Sequence, residues 1–390
     1  MIAIIRKEGF CLHTDDRSVL FAMLRNQLDG VALPFAVVPS DQLAAVRALA
    51  AHHRLSHLVS ACILANGLTQ DPQLLAECRG DKVGVGLQIQ AQTAEAQRIY
   101  AVLSRQNIPY IPLKGQIVRS FYPQPWMRNS RDVDILIPQH ISIDICQTLC
   151  RENGYTVLSE GGHDITLRVS NGLWMEMHYR LMEDDSIPRL DTVWDRAVPC
   201  DGGAEHRMCD EDFYLYHLAH MAKHFHNGGC GIRPVMDLWL FMKQGYRNEA
   251  LNELLQQYRL LQFTQAMEQL CKVWFGGDAH TDSTRRMEEF LLRGGVHGDE
   301  QFYHRVTLHN SQGKLRYLLT RAFPPVAQLK EQYPQLQKRP YLAPLMAIHR
   351  IGRVLFGKEK SSYQTQIQQI QKISKVDSQE VDLLWKDVGF

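Results

Sequence analysis

The chain has 390 residues, with 43 lysines and arginines against 42 aspartates and glutamates, so its formal net charge is +1. A charge this balanced argues against a protein that binds polyanions nonspecifically, although it leaves open an RNA substrate held by a local basic patch. No apolar run approaches the length of a membrane span, and nine cysteines without a signal peptide indicate reduced thiols. We therefore expect a cytoplasmic protein with no membrane partner.

The first 82 residues have the pattern of a helical cap. Leucine and alanine recur at helical spacing over residues 15–28 and 40–68, and prolines punctuate the pattern. A long helix is then predicted over residues 85–106, ending before Pro109. Nothing in this region indicates chemistry, so we expect it to pack against the rest of the protein.

The first chemical pattern lies between two predicted strands, a short one over residues 110–113 and a buried one over residues 132–137. Gly115 permits a tight turn after the first strand, and residues 116–122 fit the first turns of a helix. Backbone N–H groups at such a strand-to-helix junction cradle phosphate, and a glycine lets the phosphate approach closely. The turn therefore predicts a phosphate site.

Asp132 and Asp134 lie in the second of these strands. Side chains alternate along a strand, so both carboxylates share one face, about 7 Å apart along the backbone. They repel each other there, and a divalent cation between them would remove the cost. Hard oxygen ligands favour Mg²⁺, or Mn²⁺, together with phosphate oxygens, and Lys114 and Arg128 would add positive charge beside the phosphate.

Helices and strands then alternate. An amphipathic helix is predicted over residues 139–153 and a strand over residues 155–158. Two further strands, residues 164–170 and 173–179, flank Asn171-Gly172, the strongest short signal for a two-residue hairpin. This order of elements indicates a small core of helices packed on a sheet.

Glu176 lies in the second hairpin strand, between Met175 and Met177. An unpaired carboxylate with apolar neighbours on both sides is costly, so Glu176 is a candidate for a charged partner. A glutamate on an edge strand facing water is the alternative. His178 shares its face and could orient Glu176 or a phosphate, or could simply pack.

These residues together resemble the nucleotidyltransferase superfamily that includes DNA polymerase beta, in which a glycine-containing turn and a helix precede an Asp-x-Asp strand. The string is more similar to the bacterial branch of uncharacterised nucleotidyltransferases, and it consists of Leu113-Lys114-Gly115, Tyr122-Pro123, Arg128 and residues 131–136. The chain departs from the wider superfamily in having Lys-Gly where many members show Gly-Ser or Gly-Gly.

The resemblance implies an α+β fold with a small mixed-sheet core. We expect this core over residues 83–200, between a helical cap over residues 1–82 and a helical domain over residues 201–390. The superfamily also places a third metal-binding carboxylate on a strand beside the Asp-x-Asp strand, and Glu176 fits that place. The expected catalytic and metal-binding residues are therefore Asp132, Asp134 and Glu176, and the nucleotide site includes Lys114, Gly115 and Arg128.

A second polar cluster follows Asp210, which we expect to cap the next helix. His217, His220 and His224 fall on one face of this helix by the three- and four-residue rule. Three histidines on a face could bind zinc. A structural polar network between helices is another interpretation.

The uncharacterised nucleotidyltransferases show a similar His-x-x-His-x-x-Lys-His helix followed by an arginine and an aspartate. The resemblance implies that this helix lines the cleft, with Lys223 or His224 near the phosphates. It also implies that Arg233 and Asp237 form a brace.

Helical patterns continue over residues 238–275 and 283–293. Residues 297–325 mix basic and aromatic side chains that could touch a nucleotide or an acceptor, although a solvated helix face explains them as well. A last basic helix is predicted over residues 339–356, and the glutamine-rich tail over residues 361–390 is expected to be helical.

The sequence as a whole predicts a metal-dependent enzyme that moves a nucleoside monophosphate from an NTP to a hydroxyl acceptor. The balanced charge favours a small molecule, peptide or protein as acceptor, and the end of an RNA is the alternative. The rival interpretations are a non-catalytic nucleotide or metal binder of the same fold and a zinc protein built on the histidine helix.

Overall fold

A computed structural model describes residues 14–169, 172–183, 186–200, 203–295, 336, 339–346 and 375–390 of the chain. Helices surround one mixed five-stranded sheet, with a second sheet of two strands, so the predicted α+β fold class is confirmed. Within these residues, no helix is both long and apolar enough to cross a membrane.

Four helices form the N-terminal region: α1 (Thr14–Asp29), α2 (Ser40–His52), α3 (Ser56–Asn66) and α4 (Pro72–Arg105). The single helical segment predicted over residues 40–68 is wrong, because the chain turns at Arg54, whose φ of +56° is left-handed. α4 begins well before the predicted residue 85. Asp71 accepts a hydrogen bond from the Gln73 amide, and proline stands at the first helical position, which together start the helix there.

The main sheet contains β1 (Ile111–Pro112), β2 (Asp132–Leu136), β3 (Thr156–Glu160), β4 (Asp164–Arg168) and β5 (Trp174–His178). Its strand order is β1-β2-β5-β4-β3. β2 and β5 are parallel, whereas the other neighbours are antiparallel. The strand predicted over residues 132–137 is therefore confirmed in the interior of the sheet, next to the second hairpin strand.

The predicted hairpin is confirmed as a pairing of strands, but its two-residue loop is wrong. The amide of Val169 donates to the carbonyl oxygen of Leu173 at 2.9 Å, so three residues, 170–172, lie between the paired positions. β4 pairs antiparallel with β5 along its whole length, with Asp164 opposite His178. Asn171 lies outside the described residues, whereas Gly172 has a φ of +83°, in the left-handed region that such turns require. The turn therefore fixes the register of β5 against β4, whereas the pairing of β5 with β2 depends on how the sheet assembles.

Short helical pieces connect the strands: α5 (Gly115–Val118), α6 (Ser142–Asn153) and the 3₁₀ turns Arg119–Phe121, Pro125–Met127 and Gln139–Ile141. The helix predicted over residues 116–122 thus passes into a 3₁₀ turn after one α-turn. The helix predicted over residues 139–153 starts as a 3₁₀ turn. It ends at Gly154, which is left-handed with a φ of +70°.

Helices dominate the C-terminal region: α7 (Pro188–Asp191), α8 (Asp210–His226), α9 (Arg233–Lys243), α10 (Glu249–Gln257), α11 (Leu261–Cys271), α12 (Asp282–Gly294) and α13 (Lys375–Val388). β6 (Val198–Pro199) and β7 (His206–Arg207) form the second sheet, and a π-helix, Lys272–Gly276, continues α11. The expected cap at Asp210 is wrong, because Cys209 holds the cap position. Asp210 is the first helical residue, where an acidic side chain still favours the helix dipole.

Several predictions for the C-terminal region lie outside the described residues. They include the basic and aromatic stretch over residues 297–325 and most of the helix predicted over residues 339–356. Of that helix, residues 339–346 are described, with a 3₁₀ turn at Pro340–Leu342. Of the tail, α13 is described and is helical as predicted.

Two buried apolar clusters hold these elements together. One lies between the sheet, α4 and α6 and contains Val133, Leu149 and Met175. The other joins the N-terminal helices to the C-terminal ones, where Phe21 stacks on Trp274 with ring centroids 4.3 Å apart. The proposed boundary after residue 82 falls inside α4, and the three-part division of the chain stays a prediction.

Two buried histidines join separate parts of this fold. Nε2 of His53 lies 3.2 Å from the carbonyl oxygen of Leu292, and Nε2 of His57 lies 3.1 Å from that of Met127. Burial lowers the pKa of His53 to about 3, with the charge of His52 adding to the effect. Burial also lowers the pKa of His57 to about 4. Both rings are therefore neutral in the folded protein at neutral pH.

We expect the free energy of unfolding to fall as the pH drops below about 6.5, the ordinary histidine pKa. Below that pH the two histidines bind protons in the unfolded chain, whereas in the folded protein they stay neutral until the pH reaches their own lower pKa values. The free energy of unfolding therefore falls by about 1.4 kcal/mol per pH unit for each histidine. Urea denaturation at successive pH values should give a smaller slope for His57→Gln than for the unchanged protein. The exposed His140 provides the control, since His140→Gln should leave the slope unchanged; equal slopes in all three would contradict the burial of His57.

Candidate active site

A cleft of about 400 Å³ opens between the sheet, α8 and the start of α9. All the residues that the sequence predicted for catalysis, metal binding or nucleotide binding lie in its wall: Lys114, Gly115, Arg128, Asp132, Asp134, Glu176, Lys223 and His224. The fold thus brings together side chains from four separate stretches of the chain. Their roles stay predictions, and their contacts are described below.

Asp134 and Glu176 lie side by side because β2 and β5 are parallel and pair these two residues directly. Alternation along each strand sends both carboxylates to the cleft face, while Val133 and Met175 go to the buried one. The Asp134 side chain is 2% exposed and that of Glu176 25%. β5 lies between β2 and β4, so Glu176 is not on an edge strand.

His178 completes a group of three possible ligands. Its Nε2 lies 3.1 Å from Oδ1 of Asp134 and 3.3 Å from Oε2 of Glu176. One ligand atom from each of the three residues falls within 4.8 Å of the others, an arrangement that could hold a metal ion. The alternation of β5 had placed His178 on the same face, but its direct contact with Asp134 follows only from the pairing of the two strands.

Lys114 supplies positive charge to the same carboxylates. Its Nζ donates to Oδ1 of Asp134 at 2.7 Å and to Oε2 of Glu176 at 3.3 Å. Burial alone would lower the pKa of Lys114, but Asp134, Tyr216 and Glu176 raise it well above its ordinary value. Burial would likewise raise the pKa of Glu176, but the hydrogen bond from His178 and the charge of Lys114 lower it to about 2. The ammonium of Lys114 therefore balances negative charge of the two carboxylates in this site.

The turn after β1 differs from the prediction in the residue that bends it. Lys114, not Gly115, has the left-handed backbone, with φ of +45° and ψ of −120°, which is strained for a side chain of this size. Gly115 is favoured by a close neighbour instead, because a Cβ there would lie 3.0 Å from Cβ and Oγ of Ser130, which would have to shift. A contact between Gly115 and phosphate stays a prediction.

Asp132 lies in the cleft wall on the same side of β2 as Asp134, but it is not a member of the group that Asp134 forms with Glu176 and His178. Burial and the nearby charge of Asp134 raise the pKa of Asp132. The repulsion predicted between the two carboxylates is therefore present. A cation that drew Asp132 into the group would relieve it.

A buried polar network fixes the segment that leads into β2. The carbonyl oxygen of Ser130 accepts hydrogen bonds from Gln88 at 2.6 Å and from Gln92 at 2.8 Å, both on α4. Arg119 donates to Oε1 of Gln92 at 2.6 Å, to Oγ of Ser130 at 3.0 Å and to the carbonyl of Arg128 at 3.1 Å. These supports were not predicted from the sequence, although two glutamines four residues apart on one helical face were a signal.

Arg128 is paired with Asp237 rather than left free. Its Nε lies 2.7 Å from Oδ1 and its Nη2 2.8 Å from Oδ2 of Asp237, which also accepts a hydrogen bond from Tyr122 at 2.6 Å. The predicted brace between Arg233 and Asp237 is therefore wrong, because Arg128 and not Arg233 is the partner of Asp237. Arg233 is the first residue of α9 and turns instead to the carbonyl of Asn129, 3.1 Å away.

Three histidines of α8, His217, His220 and His224, also face the cleft. Nε2 of His224 lies 3.2 Å from Nε2 of His220, and Lys223 pairs with Glu183 at 3.0 Å. Burial and then the charge of Lys223 lower the pKa of His224 to about 4, so its ring is neutral. In the described part of the chain, the only group of three potential metal ligands is the one on β2 and β5, so the geometry gives no support to zinc bound by His217, His220 and His224.

The model of a protein family described as uncharacterised nucleotidyltransferase matches residues 39–276, which is more than half of the chain. The match runs from α2 to the π-helix after α11 and so includes both sheets and the whole wall of the cleft. No curated protein and no solved structure matches the chain.

Replacing Asp237 by asparagine should lower the free energy of unfolding by about 3–5 kcal/mol, because the buried charge of Arg128 would lose its partner. Tyr122→Phe removes one hydrogen bond to the same carboxylate and should cost about 1 kcal/mol. Urea denaturation measures both. Glu183→Gln serves as the control, since its side chain is 57% exposed and its pair with Lys223 should contribute less than about 1 kcal/mol. An equal loss in all three variants would contradict the larger contribution of the Arg128–Asp237 pair to stability.

Proposed function

Because the chain belongs to the uncharacterised nucleotidyltransferase family, we propose that it transfers a nucleoside monophosphate from an NTP to the hydroxyl group of an acceptor. The observation that carries the proposal is the in-register pairing of β2 with β5, which sets Asp134 beside Glu176 in the wall of the cleft. The net charge of +1 favours a small molecule, peptide or protein over RNA as the acceptor.

Mg²⁺ or Mn²⁺ is the proposed cofactor, held by Asp132, Asp134 and Glu176. The donor set fits, because carboxylates are hard ligands and two of these three already bind one cation, the ammonium of Lys114. His178 offers a nitrogen to the same group, and an imidazole ligand favours Mn²⁺ over Mg²⁺. When bound, such an ion would neutralise charge on the phosphates and on the leaving pyrophosphate.

Lys114 is proposed to change partners when the nucleotide binds. Its ammonium lies against Asp134 and Glu176, the two carboxylates that the divalent cation would also use. The ammonium and the divalent cation would repel each other at one site. The triphosphate brings negative charge, and the flexible four-carbon side chain of Lys114 allows the ammonium to move towards it. The lysine would then hold the phosphates in place.

The other nucleotide-binding residues of the proposal are Gly115, Arg128, Lys223 and His224. Lys223 is suited to direct phosphate contact, because its pair with the exposed carboxylate of Glu183 costs little to open. Arg128 is buried in its pair with Asp237, so its proposed contribution is positive potential and support of the cleft wall. His224 is neutral and can donate or accept one hydrogen bond.

The acceptor hydroxyl must lose its proton during attack on the α-phosphorus. Exposure favours Glu176 over Asp134 as the group that helps to take it, since the Glu176 side chain is 25% exposed and that of Asp134 only 2%. Lys114 also has to leave Glu176 for that carboxylate to reach an acceptor.

The proposal is tested by incubating the protein with each labelled NTP and Mg²⁺ or Mn²⁺, alone, with a metabolite extract or with RNA. Mass spectrometry would then detect a nucleoside monophosphate on the protein, a small molecule or an RNA end. A modified RNA would replace the proposed acceptor class. Nucleotide binding without transfer to any of the three would favour the non-catalytic interpretation.

Asp132→Asn and Asp134→Asn should each reduce transfer at least about 100-fold, because each removes a negative charge that the cation site requires. The rate of labelled product formation measures the loss, and circular dichroism checks that the variants fold. Asp144→Asn is the matched control, since Asp144 is exposed on α6. Transfer by either cleft variant at the rate of the control would rule out the assignment.

Lys114→Met should have opposite effects on the two ligands. Mn²⁺ should bind about tenfold more tightly without nucleotide, because the competing ammonium is gone, whereas a non-hydrolysable NTP should bind about tenfold more weakly. Isothermal titration with each ligand measures both. Lys82→Met, an exposed lysine on α4, should change neither affinity; weaker Mn²⁺ binding by the Lys114 variant would show that the ammonium does not compete for the site.

A further inference from the structure

A second cavity, of about 420 Å³, lies beside the cleft. Three arginines from different elements line it: Arg54 from the turn between α2 and α3, Arg131 just before β2, and Arg233 at the start of α9. Ser130 and Arg233 also belong to the wall of the cleft, so the two spaces are neighbours across the segment 129–131. Sequence analysis gave no indication of this cavity.

Two glycines of α4 keep one side of the cavity open. Gly80 and Gly84 are one helical turn apart, and both line it. Glycine is among the least favourable residues inside a helix, so its use at both positions calls for a local reason. A Cβ at either position would meet nothing within 4 Å, which shows that the space in front of them is free among the described residues. The pair therefore leaves room for a ligand against the helix backbone.

Among the described residues that line this wall, Asp81 is the only carboxylate beside the three arginines, so positive charge exceeds negative charge. Asp81 is already engaged, since it accepts a hydrogen bond from Ser60 at 2.7 Å and lies 3.5 Å from Arg47. Burial and then the like charge of Arg131 lower the pKa of Arg54, although the charge of Asp132 opposes this shift. An anionic ligand would relieve this repulsion.

The surroundings of Arg233 also favour an anionic ligand. Its Nη1 donates to the carbonyl of Asn129, but its buried Nε has no hydrogen-bond partner among the described residues. The carboxylate of Asp237, one turn further along α9, is bonded to Arg128 and Tyr122. Asp237 and Asp132 supply negative charge near Arg233, but neither forms an ion pair with it among the described residues, and burial and the like charge of Arg128 lower its pKa to about 10. A ligand with negative charge would therefore stabilise this cation.

We propose that this second cavity binds the phosphate group of a small molecule through Arg131 and Arg233, with the rest of the ligand lying against Gly80 and Gly84. Phosphate suits the site better than a carboxylate, because a wall with three arginines and one aspartate matches a dianion. The site is distinct from the carboxylate group of the cleft and does not depend on the proposed transfer reaction.

The test is isothermal titration of the full chain with inorganic phosphate, without metal or nucleotide and at constant ionic strength. Arg131→Gln should weaken phosphate binding about tenfold, since it removes one charged donor. Arg79→Gln is the matched control, because Arg79 is exposed on α4, carries the same charge and does not line the cavity. An equal loss in both variants would overturn the proposal in favour of general electrostatic attraction.

A pair of glycine variants makes the test independent of charge. Gly84→Leu should fill the cavity and abolish phosphate binding, whereas Gly86→Leu, in the same helix but outside the cavity wall, should bind as the unchanged protein does. Normal binding by Gly84→Leu would overturn the proposal, as would acetate binding as tightly as phosphate. Loss of phosphate binding in Lys114→Met would do the same, because it would place the anion in the cleft.

Discussion

The repulsion between two neighbouring carboxylates is the constraint around which the cleft is built. Asp134 and Glu176 lie side by side because their strands are parallel and in register, and neither can move away without breaking the sheet. Two positively polarised groups answer this charge, the ammonium of Lys114 and the imidazole of His178. The low pKa of Glu176, about 2 despite burial, shows that the compensation outweighs the cost of removing this carboxylate from water.

The same principle organises the walls of the cleft. Arg128 and Asp237 neutralise each other in a buried pair that joins the segment before β2 to α9. Arg119 and the glutamines of α4 satisfy the polar groups around Ser130. Hydrogen-bonded networks of this kind are rigid because each buried polar group would be costly to leave without a partner. α4 and α9 therefore both fix the segment that leads into β2, the strand that carries Asp132 and Asp134.

Membership of the nucleotidyltransferase family gives this arrangement its chemical context. The helices before and after the strands share one apolar core, whereas the wall of the cleft consists of residues between Leu113 and Asp237. α8 brings Lys223 and the neutral ring of His224 to the wall of the cleft, and α9 brings Arg233 and Asp237. A cleft that contains both carboxylates and the ammonium groups of Lys114 and Lys223 fits the proposed nucleotide together with a divalent cation.

Local patterns were sufficient for the five strands of the main sheet but not for β6 and β7, which were not predicted. They also indicated Asp132 and Asp134 as cleft residues, whereas Lys223 and His224 followed from the family resemblance. The alternation around Asp134 and the Asn-Gly turn before Glu176 are short-range signals, because strand period and turn geometry depend on neighbouring residues. The start of α4 was missed for a related reason. Its Asp71-Pro72 signal was interpreted as a break, although a capping residue followed by proline begins a helix.

The sequence by itself determined which side chains would be available, since all eight predicted residues lie in the wall of one cleft. Only the tertiary structure decided their partners. Asp237 pairs with Arg128, more than a hundred positions away, and not with Arg233 one helical turn before it. Lys114 bends the turn that Gly115 was expected to bend, and its ammonium lies on Asp134. These contacts depend on how helices and strands pack across long separations, and charge pairing in a buried site is decided by that packing rather than by distance along the chain.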